Sequence, residues 1–144
     1  MIIFQFFCVS RTKPENKSMS TSFLYHGFGL RDYFYKTTRF IGGILTFEIT
    51  PKPEAIKCPA CDCRSVIKKG GIRRDLRTIP VGSKPVILRT FIQRVWCPIC
   101  QFVRQIKLSF SQEGKSYTRS FERYALELSQ FMTIKDIADH LRIS

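Results

Sequence analysis

Two cysteine pairs provide the clearest chemistry in this sequence. Cys58 and Cys61 stand in the motif C-P-A-C, and Cys97 and Cys100 stand in the motif C-P-I-C. A spacing of two residues lets one tight turn present both sulfurs to a single ion, and zinc takes four thiolates in a tetrahedron. Because four cysteines leave no open coordination position, the sequence predicts one structural zinc ion.

Other interpretations of the cysteines stay open. A C-P-x-C pair also resembles a redox dithiol, whose reactivity depends on a thiolate at a helix N-terminus. Here the pair is duplicated, and neither copy opens a helical pattern as a redox dithiol would. A further alternative is that the four cysteines are buried separately and bind no common ion. We predict no role for Cys8. Cys63 is predicted to be a spectator that could substitute for Cys61, and Asp62 is expected to adopt the left-handed conformation.

Positive charge is the second chemical signal. The chain has 24 Lys and Arg against 11 Asp and Glu, for a formal net charge of +13. The stretch from Cys58 to Phe110 contains eleven basic residues and two acidic ones, Asp62 and Asp75. This imbalance favours a polyanionic partner, nucleic acid before anionic membrane, with a solvated basic surface as the alternative.

Basic residues on the predicted strands are the candidate contacts to double-stranded DNA. They are Lys68, Lys69, Arg73, Arg74, Arg77, Arg89 and Arg94. Such side chains neutralise phosphates and release counterions, which makes affinity salt-sensitive, but phosphate contacts alone do not read bases. Tyr33, Tyr35, Phe91 and Trp96 could stack on bases. We predict instead that these four aromatic residues belong to the core.

Short strands are predicted to position these groups. The extended pieces are residues 33–50 around a Gly42-Gly43 turn, residues 65–69 and 72–79 around a Gly70-Gly71 turn, and residues 86–96 after a loop at 80–85. Residues 102–108 are expected to pair with residues 86–96. We therefore predict a small antiparallel sheet resembling a zinc ribbon.

Helices are predicted at both ends of this sheet. Ser20 or Thr21 can cap a short helix that Gly29 ends. Thr118 can cap an amphipathic helix, and Thr133 with Asp136 forms a capping-box pattern that begins a second one. That last segment looks like the first helix and turn of a helix-turn-helix. The predicted fold class is α+β.

Length and composition limit the organisation of the chain. Its 144 residues suit one domain or two very small ones. No apolar run reaches the roughly 18 residues of a membrane helix, and the N-terminus lacks signal-peptide features, so we expect a cytoplasmic protein without a membrane partner. The predicted segments are a disordered leader or mis-set start at 1–18, a helix and hairpin at 19–56, a zinc-binding β module at 57–110 and a helical segment with a truncated helix-turn-helix at 111–144.

Several motifs together resemble a known family. They are S-F-L-Y-H-G-F-G-L-R at 22–31, C-P-A-C at 58–61, R-T-I-P-V-G at 77–82, V-W-C-P-I-C at 95–100, Y-T-R-S-F-E-R-Y at 117–124 and M-T-I-K-D-I-A at 132–138. From about Met19 to Ser144 the chain resembles the N-terminal part of bacterial insertion-sequence transposases of the ISL-three family. The resemblance implies zinc at the four cysteines, DNA binding by the basic module, and a helix-turn-helix for the element's terminal repeats.

The family's catalytic part has no counterpart in this sequence. A DDE domain needs acidic residues that converge on two metal ions, and the acids here are scattered. We therefore expect a truncated transposase that binds insertion-element ends at the nucleoid and is not an enzyme. The alternatives are a stand-alone zinc-ribbon adaptor for protein or RNA, and a non-functional remnant of a decayed element.

Overall fold

The computed structural model describes residues 21–144, so the predicted leader and Cys8 lie outside the described residues. Within that range the elements are α1 (Thr21–Phe28), β1 (Tyr33–Ile41), β2 (Ile44–Pro51), β3 (Ile67–Val81), β4 (Lys84–Trp96), β5 (Val103–Gln105), α2 (Arg119–Leu128) and α3 (Ile134–Leu141), with a 3₁₀ turn at Pro53–Ala55. The predicted α+β class is confirmed. Among these residues, no helix combines the length and apolar character needed to cross a lipid bilayer.

One sheet joins all five strands, with β4 at its centre. The strand order is β1-β2-β4-β3, and β5 pairs with residues 94–96 of β4, beyond the residues that pair with β2. The sheet is antiparallel except between β2 and β4, which run parallel from Leu45 opposite Val86 to Ile49 opposite Thr90. The expected sheet was wholly antiparallel. The parallel pair forms because residues 52–83 make a crossover long enough to return the chain in the same direction.

The hairpin between β1 and β2 turns where the sequence predicts. Gly42 and Gly43 have φ values of 59° and 77°, and Ile41 pairs with Ile44 across the turn. A two-residue turn with positive φ at both positions matches the twist of the flanking strands. Glycine adopts this conformation without the steric cost that a Cβ atom brings.

The predicted turn at Gly70-Gly71 is wrong, because β3 continues through both glycines as a bulge. Lys68 pairs with Val95 and Gly71 with Gln93, so β3 carries one more residue than β4 between these pairs. Gly70 has a φ of 74°, which suits the extra residue of a bulge. The loop predicted at 80–85 is a two-residue turn in the structure, since β3 ends at Val81 and β4 begins at Lys84.

The main core lies between α1 and one face of the sheet. Leu24, Phe28 and Leu30 pack with Tyr33 and with a set of strand residues. That set is Phe47, Ile49, Leu76, Val86 and Leu88, and Phe110 closes the cluster. Of the four aromatic residues expected in the core, Tyr33 is buried and Tyr35 and Trp96 are half-buried. Phe91 is 40% exposed, so its core prediction is wrong.

The C-terminal helices form a second packed unit on the β3 edge. The hydroxyl of Thr118 accepts a hydrogen bond from the Phe121 N–H at 3.2 Å, and that of Thr133 accepts one from the Asp136 N–H at 3.3 Å, which confirms both predicted caps. Residues 116–118 lie along β3, where the N–H and carbonyl of Arg77 bond to Ser116 and Thr118. The helix-turn-helix assignment stays a prediction.

Candidate metal centre

The first cysteine pair sits in a tight loop before β3. The Asp62 N–H donates to the Cys58 carbonyl at 3.0 Å, and the Cys58 N–H donates to the Cys63 carbonyl at 2.9 Å. Asp62 has a φ of 57°, which confirms its expected left-handed conformation. The chain therefore folds back at once after Cys61 and keeps both sulfurs on the inside of the loop.

The second cysteine pair repeats this loop after β4. The Gln101 N–H donates to the Cys97 carbonyl at 2.8 Å, and the Cys97 N–H donates to the Phe102 carbonyl at 3.2 Å. Gln101 has a φ of 55°. Gln101 was not predicted from the sequence, although its position directly after the second pair matches that of Asp62 after the first. The two loops are thus equivalent in backbone hydrogen bonding.

Strand pairing brings the two loops together. Ile67, near the start of β3, pairs with Trp96 at the end of β4. The loops lie directly outside this last pair of the β3–β4 hairpin, one preceding β3 and one following β4. A small apolar cluster of Ile92, Val95 and Ile106 lies close to them in sequence and in space. The long β3–β4 hairpin therefore brings together two cysteine pairs that are far apart in the sequence.

Four sulfurs converge at this end of the sheet. The Sγ atoms of Cys58, Cys61, Cys97 and Cys100 all lie within 4.8 Å of one another. Two contacts cross between the loops, at 3.5 Å for Cys61 with Cys97 and 3.9 Å for Cys58 with Cys100. A tetrahedral ion with bonds of about 2.3 Å sets its sulfurs about 3.8 Å apart. The four cysteines are positioned to hold one metal ion.

Backbone donors favour ionisation of the first sulfur in each loop. The N–H groups of Cys61 and Ala60 lower the pKa of the Cys58 thiol to about 6. The Cys100 N–H similarly lowers the pKa of the Cys97 thiol. In contrast, hydrogen bonding with the Cys61 sulfur, together with burial, raises the pKa of Cys100 to about 12. Neighbouring thiolates repel one another, so a cation bound among the four sulfurs would favour their ionisation.

Cys63 lies outside the converging sulfurs. Its Sγ is 3.9 Å from the Ser65 carbonyl oxygen, and its own carbonyl accepts the Cys58 N–H. Cys63 therefore contributes its backbone to the first loop, in the position that Phe102 occupies in the second. Among the described residues, the four predicted cysteines are the group of metal-binding side chains that comes together.

The predicted DNA contacts fall in different environments. Lys68, Lys69, Arg73 and Arg94 are exposed. Arg89 makes two hydrogen bonds to the Asp75 carboxylate, at 2.8 and 2.7 Å, and these lower the pKa of Asp75. Arg74 donates to the Lys115 carbonyl at 3.2 Å.

Arg77 links the sheet to the helices. It is half-buried, and its guanidinium donates to the Leu141 carbonyl at the end of α3. It also lies 6.0 Å from the centre of the Phe121 ring. Substituting Arg77 would therefore disturb the helical unit as well as any DNA contact.

Comparisons with known proteins leave the family assignment as a prediction. No protein-family model matches the sequence, and no curated protein or solved structure matches it. The motif resemblance and the geometry of this chain therefore carry the functional interpretation.

Proposed function

We propose that Cys58, Cys61, Cys97 and Cys100 bind one structural zinc ion. The convergence of four sulfurs at distances that suit a tetrahedral thiolate site supports this choice. Zinc would supply the positive charge that the four thiolates need and would cross-link the two loops. The chain's own contribution is to present the sulfurs from two matching loops and to donate backbone hydrogen bonds to Cys58 and Cys97. No coordination position would remain for a substrate.

We further propose that the zinc-stapled sheet is a DNA-binding module of a transposase-related protein, without catalytic activity of its own. The observation that carries this proposal is the net charge of +13, of which a large part stands on β3, on β4 and on the chain after them. Duplex DNA is the polyanion that the motif resemblance favours, and insertion-element ends at the nucleoid are its expected target. Four of the predicted contacts, Lys68, Lys69, Arg73 and Arg94, are exposed and form no ion pair with a carboxylate within residues 21–144.

A competition experiment tests this function. We expect the purified, zinc-loaded chain to bind a fluorescent DNA duplex, and the logarithm of its observed affinity to fall linearly with the logarithm of salt concentration. Duplex DNA should displace the probe at lower concentration than tRNA does. The absence of binding by folded, zinc-loaded protein would contradict the proposal.

An RNA- or single-strand-binding adaptor is the second candidate, and one surface favours it. The sheet face opposite α1 exposes Phe34 and Phe91, 50% and 40% exposed respectively, and Arg73 pairs with Phe91 across the strands. Exposed aromatic rings beside an arginine can stack on unpaired bases. In the competition experiment, this candidate predicts that tRNA or single-stranded DNA displaces the probe better than duplex DNA does.

A further inference from the structure

A cleft opens beside the first cysteine loop. Its volume is about 710 Å³. Pro59 of that loop and Ile92 of β4 form part of its wall, and the segment from β5 through residue 115 to the start of α2 forms the rest. Leu108 adds apolar surface, while Ser111 and Gln112 add polar atoms. The cleft is therefore concave, with walls drawn from distant parts of the sequence.

Most charged residues that line this cleft are basic. They are Arg74, Arg104, Lys107, Lys115 and Arg119, and they face one acidic residue, Glu113. In the described part of the chain, none of the five forms an ion pair with a carboxylate. On the open sheet face, by contrast, Arg89 is paired with Asp75 and Arg39 with Glu48. Part of the positive charge on the sheet face is thus compensated locally, whereas no ion pair among the described residues compensates the cations of the cleft.

The concave shape of the cleft strengthens the electrostatic field of these cations. A concave site with apolar walls focuses the field of its cations and attracts anions more strongly than a flat surface does. Arg74 donates to the Lys115 carbonyl at 3.2 Å, which ties the loop that carries Lys115 to β3. A guanidinium has five N–H donors, so Arg74 keeps donors for an anion while it holds this wall in place.

We propose that this cleft binds phosphodiester groups of the duplex DNA backbone. The inference rests on the proposed DNA-binding function and moves the main phosphate contacts from the sheet face to Arg104, Lys107 and their neighbours. These contacts position the protein on the duplex and do not read the bases. The same inference assigns the proposed metal ion a structural role in DNA binding. Pro59 belongs to the first cysteine loop, and β5 follows the second. A metal ion that joins the loops therefore fixes two walls of the cleft.

Matched charge variants test the cleft in the full chain. Arg104 and Lys107 are exposed, so Arg104→Gln with Lys107→Gln should fold and keep the metal. Each phosphate contact contributes about 0.9 to the slope of log affinity against log salt for duplex DNA. We therefore expect this double variant to lower the slope by about 1.8. The control, Arg39→Gln with Lys84→Gln, removes the same charge from the opposite end of the sheet and should leave the slope nearly unchanged.

The outcomes separate the cleft from the function as a whole. If the wild type binds duplex DNA but both double variants change the slope equally, the cleft proposal is overturned and the DNA-binding function stands. If the wild type binds no duplex, both fail. A second cleft variant, Lys115→Gln with Arg119→Gln, should reproduce the loss of slope. Circular dichroism and metal content identify any variant whose effect comes from misfolding.

Discussion

The Sγ atoms of Cys58 and Cys97 belong to buried residues, whereas Cys61 is exposed and Cys100 is half-buried. Loss of a buried ligand removes one of four bonds and leaves a polar group inside the protein. We expect Cys97→Ser to lose the metal, because a serine hydroxyl stays protonated and binds zinc poorly at neutral pH. Metal analysis of the purified wild type should give about one zinc per chain.

Cys63→Ser is the matched control for that prediction. Its sulfur lies outside the cluster, and its carbonyl, which the substitution keeps, accepts the Cys58 N–H. We expect this variant to retain the metal and the stability of the wild type to within about 0.5 kcal/mol. If Cys63→Ser loses zinc while Cys61→Ser keeps it, the ligand assignment is wrong at that position.

Among the elements, β3 leaves no room for a side chain at Gly71, next to its bulge. A Cβ atom built on Gly71 would lie 2.2 Å from the Ile92 carbonyl oxygen and 2.7 Å from the Phe91 ring. Backbone must therefore move to accept any side chain there. We expect Gly71→Ala to lower the free energy of unfolding by about 3 kcal/mol, as measured by chemical denaturation.

Gly42→Ala separates this steric effect from a general preference for glycine. Gly42 has a positive φ of 59°, but a Cβ there would meet nothing within 4 Å. The expected cost is only the left-handed conformation of alanine, about 1 kcal/mol. Equal losses in the two variants would show that the close approach at Gly71 does not matter.

The same elements show which features a sequence reveals. The caps at Thr118 and Thr133, the turn at Gly42-Gly43 and the paired cysteine loops were predictable because each depends on residues that are close in sequence. The bulge at Gly70-Gly71 was mistaken for a turn, because a Gly-Gly pair suits both. What decides between them is the pairing of β3 with residues of β4 that are 22 to 27 positions away.

Features that depend on residues far apart in the sequence could not be predicted. The parallel pairing of β2 with β4 follows from where the crossover lands, which no local pattern specifies. Arg77 looked like its basic neighbours on β3, yet its guanidinium donates to Leu141, 64 residues later. The cleft gathers side chains from β3, β5, a loop and α2, so the sequence did not show that its cations come together.

At the scale of the whole molecule, the apolar core is divided unequally between the α1 end and the end that carries the four converging cysteines. The cluster between α1 and the sheet contains ten buried residues, whereas the cluster nearest the cysteine loops contains three. A small apolar cluster stabilises little by itself, and structural zinc supplies free energy on the order of 10 kcal/mol in small zinc domains. The end of the sheet that carries the cysteine loops, which we call the metal end, should therefore depend on zinc for its stability far more than the α1 end does.

Chelation of zinc in the full chain tests this division by hydrogen exchange. We expect the amides of the two cysteine loops, of β5 and of the adjoining ends of β3 and β4 to lose protection. The amides of β1, β2 and the first half of β4 should stay protected, because the main core holds them independently of the metal. Duplex affinity should fall together with protection at the metal end, and both should return when zinc is added back. Uniform loss of protection over residues 21–144 would show instead that the metal supports the whole fold, and that the two clusters unfold as one unit.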